Sequence, residues 1–149
     1  MEPWDADTHQ RKVEILRASP LFERLTRPEL SHLAFGADLQ TLPQGSVLTR
    51  LGEPGVHLYL VARGTTALVW RADQRPHLVD RDIVGWSALV EPYTYTATAT
   101  AAGVCEALRL RADAVLGMLA QRTDVGYDVM RSVAAIARAR FVEVANQAA

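Results

Sequence analysis

Between Asp82 and Ala101 the chain reads Asp82-Ile83-Val84-Gly85-Trp86-Ser87-Ala88-Leu89-Val90-Glu91-Pro92-Tyr93-Thr94-Tyr95, then Thr96-Ala97-Thr98-Ala99-Thr100-Ala101. Gly85 suits the start of a tight turn. Ser87-Ala88-Leu89-Val90 suits one helical turn, and Pro92 stops it. The leading N–H groups of such a turn lack intrahelical acceptors and attract an anion such as phosphate. The six residues that follow alternate strictly. In extended chain, Thr96, Thr98 and Thr100 form a ladder of hydroxyls, while Ala97, Ala99 and Ala101 form a row of methyls. Such small side chains leave room for a ligand or for a bulky neighbour. Threonine also favours strands for its own reasons, so the alternation by itself equally describes an ordinary strand.

Other chemistry finds little footing. His9, His32, His57 and His77 stand too far apart for a His-x-His metal set. Ser87 has no G-x-S-x-G context, no carboxylate pair stands out, and no Walker-type loop is present. The single cysteine, Cys105, lies in the strand-like run Val104 to Leu108, where it reads as a small buried hydrophobe. These absences point away from an enzyme and from a bound metal or cofactor.

The elements that must position the segment follow from period and punctuation. With 149 residues, 49% hydrophobic and 22% charged, the chain is sized for one domain with a core of its own. Residues 1–36 read as helices: Asp7 to Ala18 ends at Ser19-Pro20, and Thr26-Arg27-Pro28-Glu29 is a capping box for a helix closing at Gly36. Residues 37–110 change to short strands: Leu39–Leu42, Ser46–Leu51, Val56–Ala62, Thr65–Arg71, His77–Val79 and Thr96–Leu110. Glycine and proline turns separate them, among them Asp73-Gln74-Arg75-Pro76. That rhythm predicts a mainly β unit, an eight-stranded antiparallel jelly-roll barrel with flanking helices. Residues 111–149 return to helix, Arg111–Arg122 and then a long helix over Asp124–Gln147. Its apolar arc is wide, spanning Val129, Met130, Val133, Ile136, Ala137, Phe141 and Val144. Two placements satisfy so wide an arc: the helix's own barrel plus a partner subunit, or deep packing on one domain.

A net charge of -1 with 16 basic residues argues against a dedicated nucleic-acid binder. No apolar run approaches the roughly 20 residues of a membrane-spanning helix. Nor does a basic start lead into an early apolar stretch, as in a secretory signal. The cytoplasm is the expected location.

Several motifs in order resemble the cyclic nucleotide-binding domains, above all the sensory half of catabolite activator type regulators. They are Leu42-Pro43-Gln44-Gly45-Ser46-Val47-Leu48, Leu51-Gly52-Glu53-Pro54-Gly55, Leu58-Tyr59-Leu60-Val61-Ala62-Arg63-Gly64, and Gly85 followed by Thr96-Ala97-Thr98. Ser19-Pro20-Leu21-Phe22 and the long terminal helix fit the flanks. The resemblance implies a phosphate cassette with Gly85, Ser87, Ala88 and Leu89 on the anion-facing turn and Thr96 and Ala97 as hydrogen-bonding residues. The family's glutamate and arginine would fall at Trp86 and Tyr95. Losing a charge-assisted arginine contact removes roughly 1.5–3 kcal/mol, which weakens a cyclic nucleotide by an order of magnitude or more. Trp86 and Tyr95 could stack on a ligand ring, or fill the pocket. Arg140, in the apolar arc of the last helix, could replace the missing charge, or snorkel to water.

The resemblance thus implies a stand-alone sensor domain for a small anionic ligand, cyclic AMP, cyclic GMP or a relative. It would form a homodimer through the Asp124–Gln147 helix, with no DNA-binding domain in this chain. The alternative is a degenerate domain with no nucleotide ligand, serving as a protein-interaction or dimerisation module.

Overall fold

The computed structural model describes residues 4–72, 74–80 and 83–148. Asp73 and Asp82, named above in a turn and at the head of the cassette, lie outside the described residues. The elements are α1 (Ala6–Ala18), α2 (Arg27–Phe35), β1 (Asp38–Leu42), β2 (Val47–Thr49), β3 (His57–Arg63), β4 (Thr65–Val69), β5 (His77–Asp80), β6 (Ile83–Val84), a 3₁₀ turn (Trp86–Leu89), β7 (Thr98–Ala101), β8 (Cys105–Arg111), α3 (Ala112–Gln121) and α4 (Thr123–Ala148).

Local chemistry starts and stops the helices. Asp5 caps α1 by accepting the Thr8 N–H at 2.9 Å. The capping box of α2 is complete: the Thr26 hydroxyl accepts the Glu29 N–H, and the Glu29 carboxylate accepts the Thr26 N–H at 2.8 Å. Glu29 also takes the Arg122 guanidinium at 2.5 Å, which ties α2 to the junction between α3 and α4. Arg122 reaches Asp124 in turn, and Arg24 pairs with both Asp124 and Asp128. The root of α4 is therefore fastened by a network of charges.

The eight strands divide between two four-stranded antiparallel sheets, β1-β8-β3-β6 and β2-β7-β4-β5. Among the described residues no ladder joins them, so the strands form two facing open sheets rather than one barrel closed by hydrogen bonds. The reason lies in the connections. Only the β4–β5 connection stays within a sheet; the chain changes sheet at every other one, including Gly64 between β3 and β4 and Ala102-Gly103-Val104 between β7 and β8. The run over Thr96–Leu110 is thus two strands in two sheets, parted at Ala102-Gly103.

Alternation along β3 and β8 serves two cores at once. Leu58 and Leu60 pair with Leu110 and Leu108 and are buried against Leu16 of α1, Leu30 of α2 and Val115 of α3. The intervening Tyr59, Val61, Cys105 and Ala107 face the other way, into a second cluster with Leu68, Ala99 and Ala101 of the opposite sheet. The middle of the β3–β8 pair is buried on both faces, so both parities are apolar there, from Leu58 to Val61. Each fully buried leucine contributes about 1.5–3 kcal/mol. In α4, Val125, Val129 and Val133 enter the helix-side core, whereas no residue of the described side chains beyond Val133 is fully buried.

The charge network gives the fold a pH signature. The Arg122 guanidinium, with help from the Val125 N–H, holds the Asp124 carboxyl at about 2 against an ordinary 3.8. Because the folded-state value is depressed, the stabilisation is present above pH ~4 and is lost as pH falls through about 2. The melting-temperature gap between the wild type and Asp124→Asn is expected to be open at neutral pH and to close between pH ~4 and ~2, as followed by circular dichroism.

Candidate ligand cavity

Gly85 sits at φ 85°, in the left-handed region that glycine enters without steric penalty. A Cβ there would lie 3.0 Å from the His57 carbonyl oxygen and 3.2 Å from the Tyr95 ring. The turn that follows runs over Trp86–Leu89, with the Ala88 N–H donating to the Gly85 carbonyl at 3.0 Å. The β2–β3 loop braces it from behind: a Cβ on Gly55 would come within 2.7 Å of the Ala88 Cβ. Ala88 and Leu89, 1% and 3% exposed, pack into the helix-side core, so what they could offer a ligand is backbone and not side chain.

In front of this turn lies a cavity of about 330 Å³. Gly85, Trp86, Ser87, Tyr95, Thr96, Ala97 and Arg140 all line it, so seven of the nine residues singled out by sequence are brought together. Thr49, Leu68, Trp70, Ile83, Val84 and Ala99 complete the wall from both sheets, and Ala137, Phe141 and Val144 of α4 close it from above. Arg138, two residues before Arg140, is exposed. The alternation over Thr96–Ala101 acquires a purpose here. Ala99 and Ala101 point between the sheets, and the methyls of Ala97 and Ala99 leave the space that larger residues would fill.

Most polar atoms of the wall already have partners. The Tyr95 hydroxyl donates to the His57 carbonyl at 2.6 Å and accepts the His57 N–H at 3.1 Å. Its backbone N–H donates to Glu53 and its carbonyl accepts from Gly52. Burial pushes the Tyr95 phenol up, partly offset by the His57 backbone bond. Tyr95 is therefore a buried bolt between strand and loop, and presents its ring to the cavity. The Ser87 hydroxyl accepts the Thr96 N–H at 3.3 Å, and the Thr49 hydroxyl donates to the Ala97 carbonyl at 2.9 Å. Beyond the cavity, His77 of β5 faces Glu143 of α4 at 3.5 Å and lies tilted at 54° against the Trp70 ring, with centroids 5.7 Å apart. This contact holds the far half of α4 over the opening. Among the described residues no three His, Cys, Asp or Glu side chains converge as metal ligands, and no helix is long and apolar enough to cross a membrane.

The family profile described as "Cyclic nucleotide-binding domain" matches residues 39–122, more than half of the 149 residues. The chain belongs to the cyclic nucleotide-binding domain family. It is 30% identical over 101 residues to a cyclic nucleotide-gated potassium channel of Mesorhizobium japonicum, a match covering 67% of this chain and 28% of the channel. Among solved structures it is similar to the sensor domain of the transcriptional regulator DNR from Pseudomonas aeruginosa, with TM-score 0.74, 21% identity, and 91% and 94% of the two chains covered. It is also similar to the regulatory domain of Toxoplasma gondii PKA crystallised with cAMP, with TM-score 0.67, 24% identity, and coverage of 78% of this chain and 46% of that one.

Thr49, Leu68 and Trp70 of the wall escaped the sequence reading. The alternation of β4 does carry the signal: Thr66 and Leu68 point inward, and the same parity leads to Trp70. The clamp on Tyr95 makes a definite prediction. Tyr95→Phe leaves the His57 N–H and carbonyl without their partner, and urea unfolding is expected to show a loss of about 1–3 kcal/mol.

Proposed function

We propose that this chain is a regulatory sensor domain whose cavity takes a small anionic ligand and whose α4 reports its occupancy. One observation carries the reading: cassette turn, inner strand faces and α4, remote in sequence, meet around one cavity closed by the helix that fixes least of itself to the core. Family membership and the channel's printed name supply the ligand class, with cyclic AMP and cyclic GMP inside it. Their affinity is reduced, because Tyr95 is bolted to His57 and supplies no charge to a phosphate. Arg140 is the cation at the opening. A ligand that prefers α4 in one of two packings shifts the balance between them. The role is regulatory rather than catalytic, in the cytoplasm, within a jelly-roll-like arrangement of the two sheets.

The experiment is a thermal-shift titration. Roughly 10 mM cyclic AMP or cyclic GMP against a dissociation constant of ~1 mM stabilises by about 1.4 kcal/mol, or about 3–5 °C for a chain of this size. Ala137→Trp, which pushes a ring into the cavity from α4, is expected to remove the shift. Silence of the wild type towards every small anion tried would refute the sensor reading.

The homodimer is the second part of the proposal. Tyr127, Arg131, Ala134, Arg138, Phe141 and Ala145 are exposed on α4 at alternating spacings of four and three, the seam of a two-helix pair. Phe141 is 72% exposed, unusual for so large an apolar group. Light scattering is expected to give a dimer for the wild type and a monomer for Ala134→Glu combined with Phe141→Asp. A wild-type monomer at high micromolar concentration would refute it. A non-nucleotide interaction module is favoured by the same exposed seam, and becomes the better reading if the dimer is found and the thermal shift is not.

A further inference from the structure

A second cavity lies between α1 and α4, over the β3–β6 edge of the first sheet. It holds about 800 Å³, within the roughly 300–1,000 Å³ typical of small-molecule sites. Ile83 alone is common to its lining and that of the first cavity, so the two are separate places. Its floor is aliphatic: Ile15 of α1, Leu21, Leu60 and Ala62 of β3, Ile83 of β6 and Ile136 of α4. No aromatic ring lines it among the described residues. Ala62, Ile83 and Ile136 are half-buried, while Ala18, Pro20 and Ala135 at the rim are exposed. Apolar surface therefore stays in water along the opening, and its burial would drive an occupant in.

Five side chains of the wall are polar: Arg11, Glu14, Ser19, Arg63 and Ser132. The Ser19 hydroxyl is buried and accepts the Leu21 N–H at 3.3 Å. Ser132 is half-buried on α4 and brings no charge. Arg11 donates to Glu106 at 2.7 Å. Glu106 stands opposite Arg63 in the β3–β8 register, so this corner carries two guanidiniums to one carboxylate. Arg63 is exposed and forms no ion pair among the described residues. Glu14, about one turn along α1 from Arg11, is exposed and unpaired as well. The two unpaired charges differ in what they offer. A guanidinium is weakly hydrated, and its fork takes a carboxylate through two parallel bonds. An exposed carboxylate gains little from a single ammonium.

We infer that this groove is a second ligand site, and that its occupant is an aliphatic carboxylate, a flexible hydrocarbon chain with one acidic head. The head meets the Arg63 guanidinium, and the chain lies on the floor formed by Ile15, Leu60, Ile83 and Ile136. Each methylene so buried multiplies affinity roughly fourfold, so affinity climbs with chain length until the floor is covered. The inference stands whether or not the first cavity holds a ligand, because Ala135 and Ile136 line this groove and not the other.

Calorimetric titration of the full chain with hexanoate, octanoate, octylamine and 1-octanol tests this. Octanoate is expected to bind at least fivefold more tightly than each of the other three. Arg63→Gln is expected to weaken octanoate at least fivefold and leave 1-octanol unchanged. Ala135→Trp, which sets a ring into the groove from the exposed side of α4, is expected to abolish octanoate binding, with circular dichroism confirming the fold of each variant. Ala137→Trp, which fills the first cavity instead, is expected to leave octanoate binding intact. Octylamine or 1-octanol binding as tightly as octanoate overturns the inference, as does an octanoate affinity untouched by Arg63→Gln. Loss of octanoate binding in Ala137→Trp but not in Ala135→Trp moves the acid to the first cavity, which overturns the second site and leaves the sensor reading standing. Silence of octanoate at millimolar concentration overturns it outright.

Discussion

The pairing of β3 with β8 is the constraint on which everything else rests. Six residue pairs run between the two strands, and both faces of the ribbon they form are buried. One face requires helices, and α1, α2 and α3 supply them with Leu16, Leu30 and Val115. The other requires a second sheet, which brings Leu68, Ala99 and Ala101. Once both requirements are met, the second half of α4 has no core left to join. It can only lie over the end of the space between the sheets, where the cavity is.

The cassette is held by the same logic. Its turn is fixed from three directions: by the Gly85 backbone against the His57 carbonyl, by Gly55 against Ala88, and by the Ser87 hydroxyl against the Thr96 N–H. Tyr95 makes four hydrogen bonds to two neighbouring segments. They fix the rim of the cavity and leave the Tyr95 hydroxyl fully engaged with the His57 backbone.

Much of this was legible in the sequence because it depends on local or periodic signals. The capping box Thr26–Glu29 was visible from spacing alone, and the helix boundaries at Ala18 and Phe35 follow from punctuation by Ser19-Pro20 and Gly36. The Thr/Ala alternation separates two faces, and the structure makes the alanine face the inner one at Ala99 and Ala101. What sequence could not give was partnership at a distance. Nothing near Tyr95 announces that its hydroxyl will be taken by a residue 38 positions earlier. Nothing near Ala88 shows that it will meet Gly55 and face the core. The two-residue strand β6 is too short for any period to reveal, and Trp70 at the edge of a turn looks like a surface residue until β4 is paired. The division into two open sheets likewise depends on where the chain crosses over, which strand patterns alone do not record.

The anchoring of α4 has a mechanical consequence. Its first turns are gripped by valines and by the Arg122–Glu29 and Arg24–Asp124 pairs, while the remainder projects from Val133 to Ala148, about 22 Å at 1.5 Å per residue. A rod gripped firmly at its root, and farther out by the partly exposed His77–Glu143 contact, magnifies angle into distance. A tilt of about 10° at the root moves the far end by roughly 4 Å over that length, enough to break that contact and close to the ~5.4 Å of one helical turn, a step by which packed elements are known to exchange partners. Arg140 and Phe141 lie about halfway along the rod, so a molecule seated beneath them pushes with leverage on everything beyond.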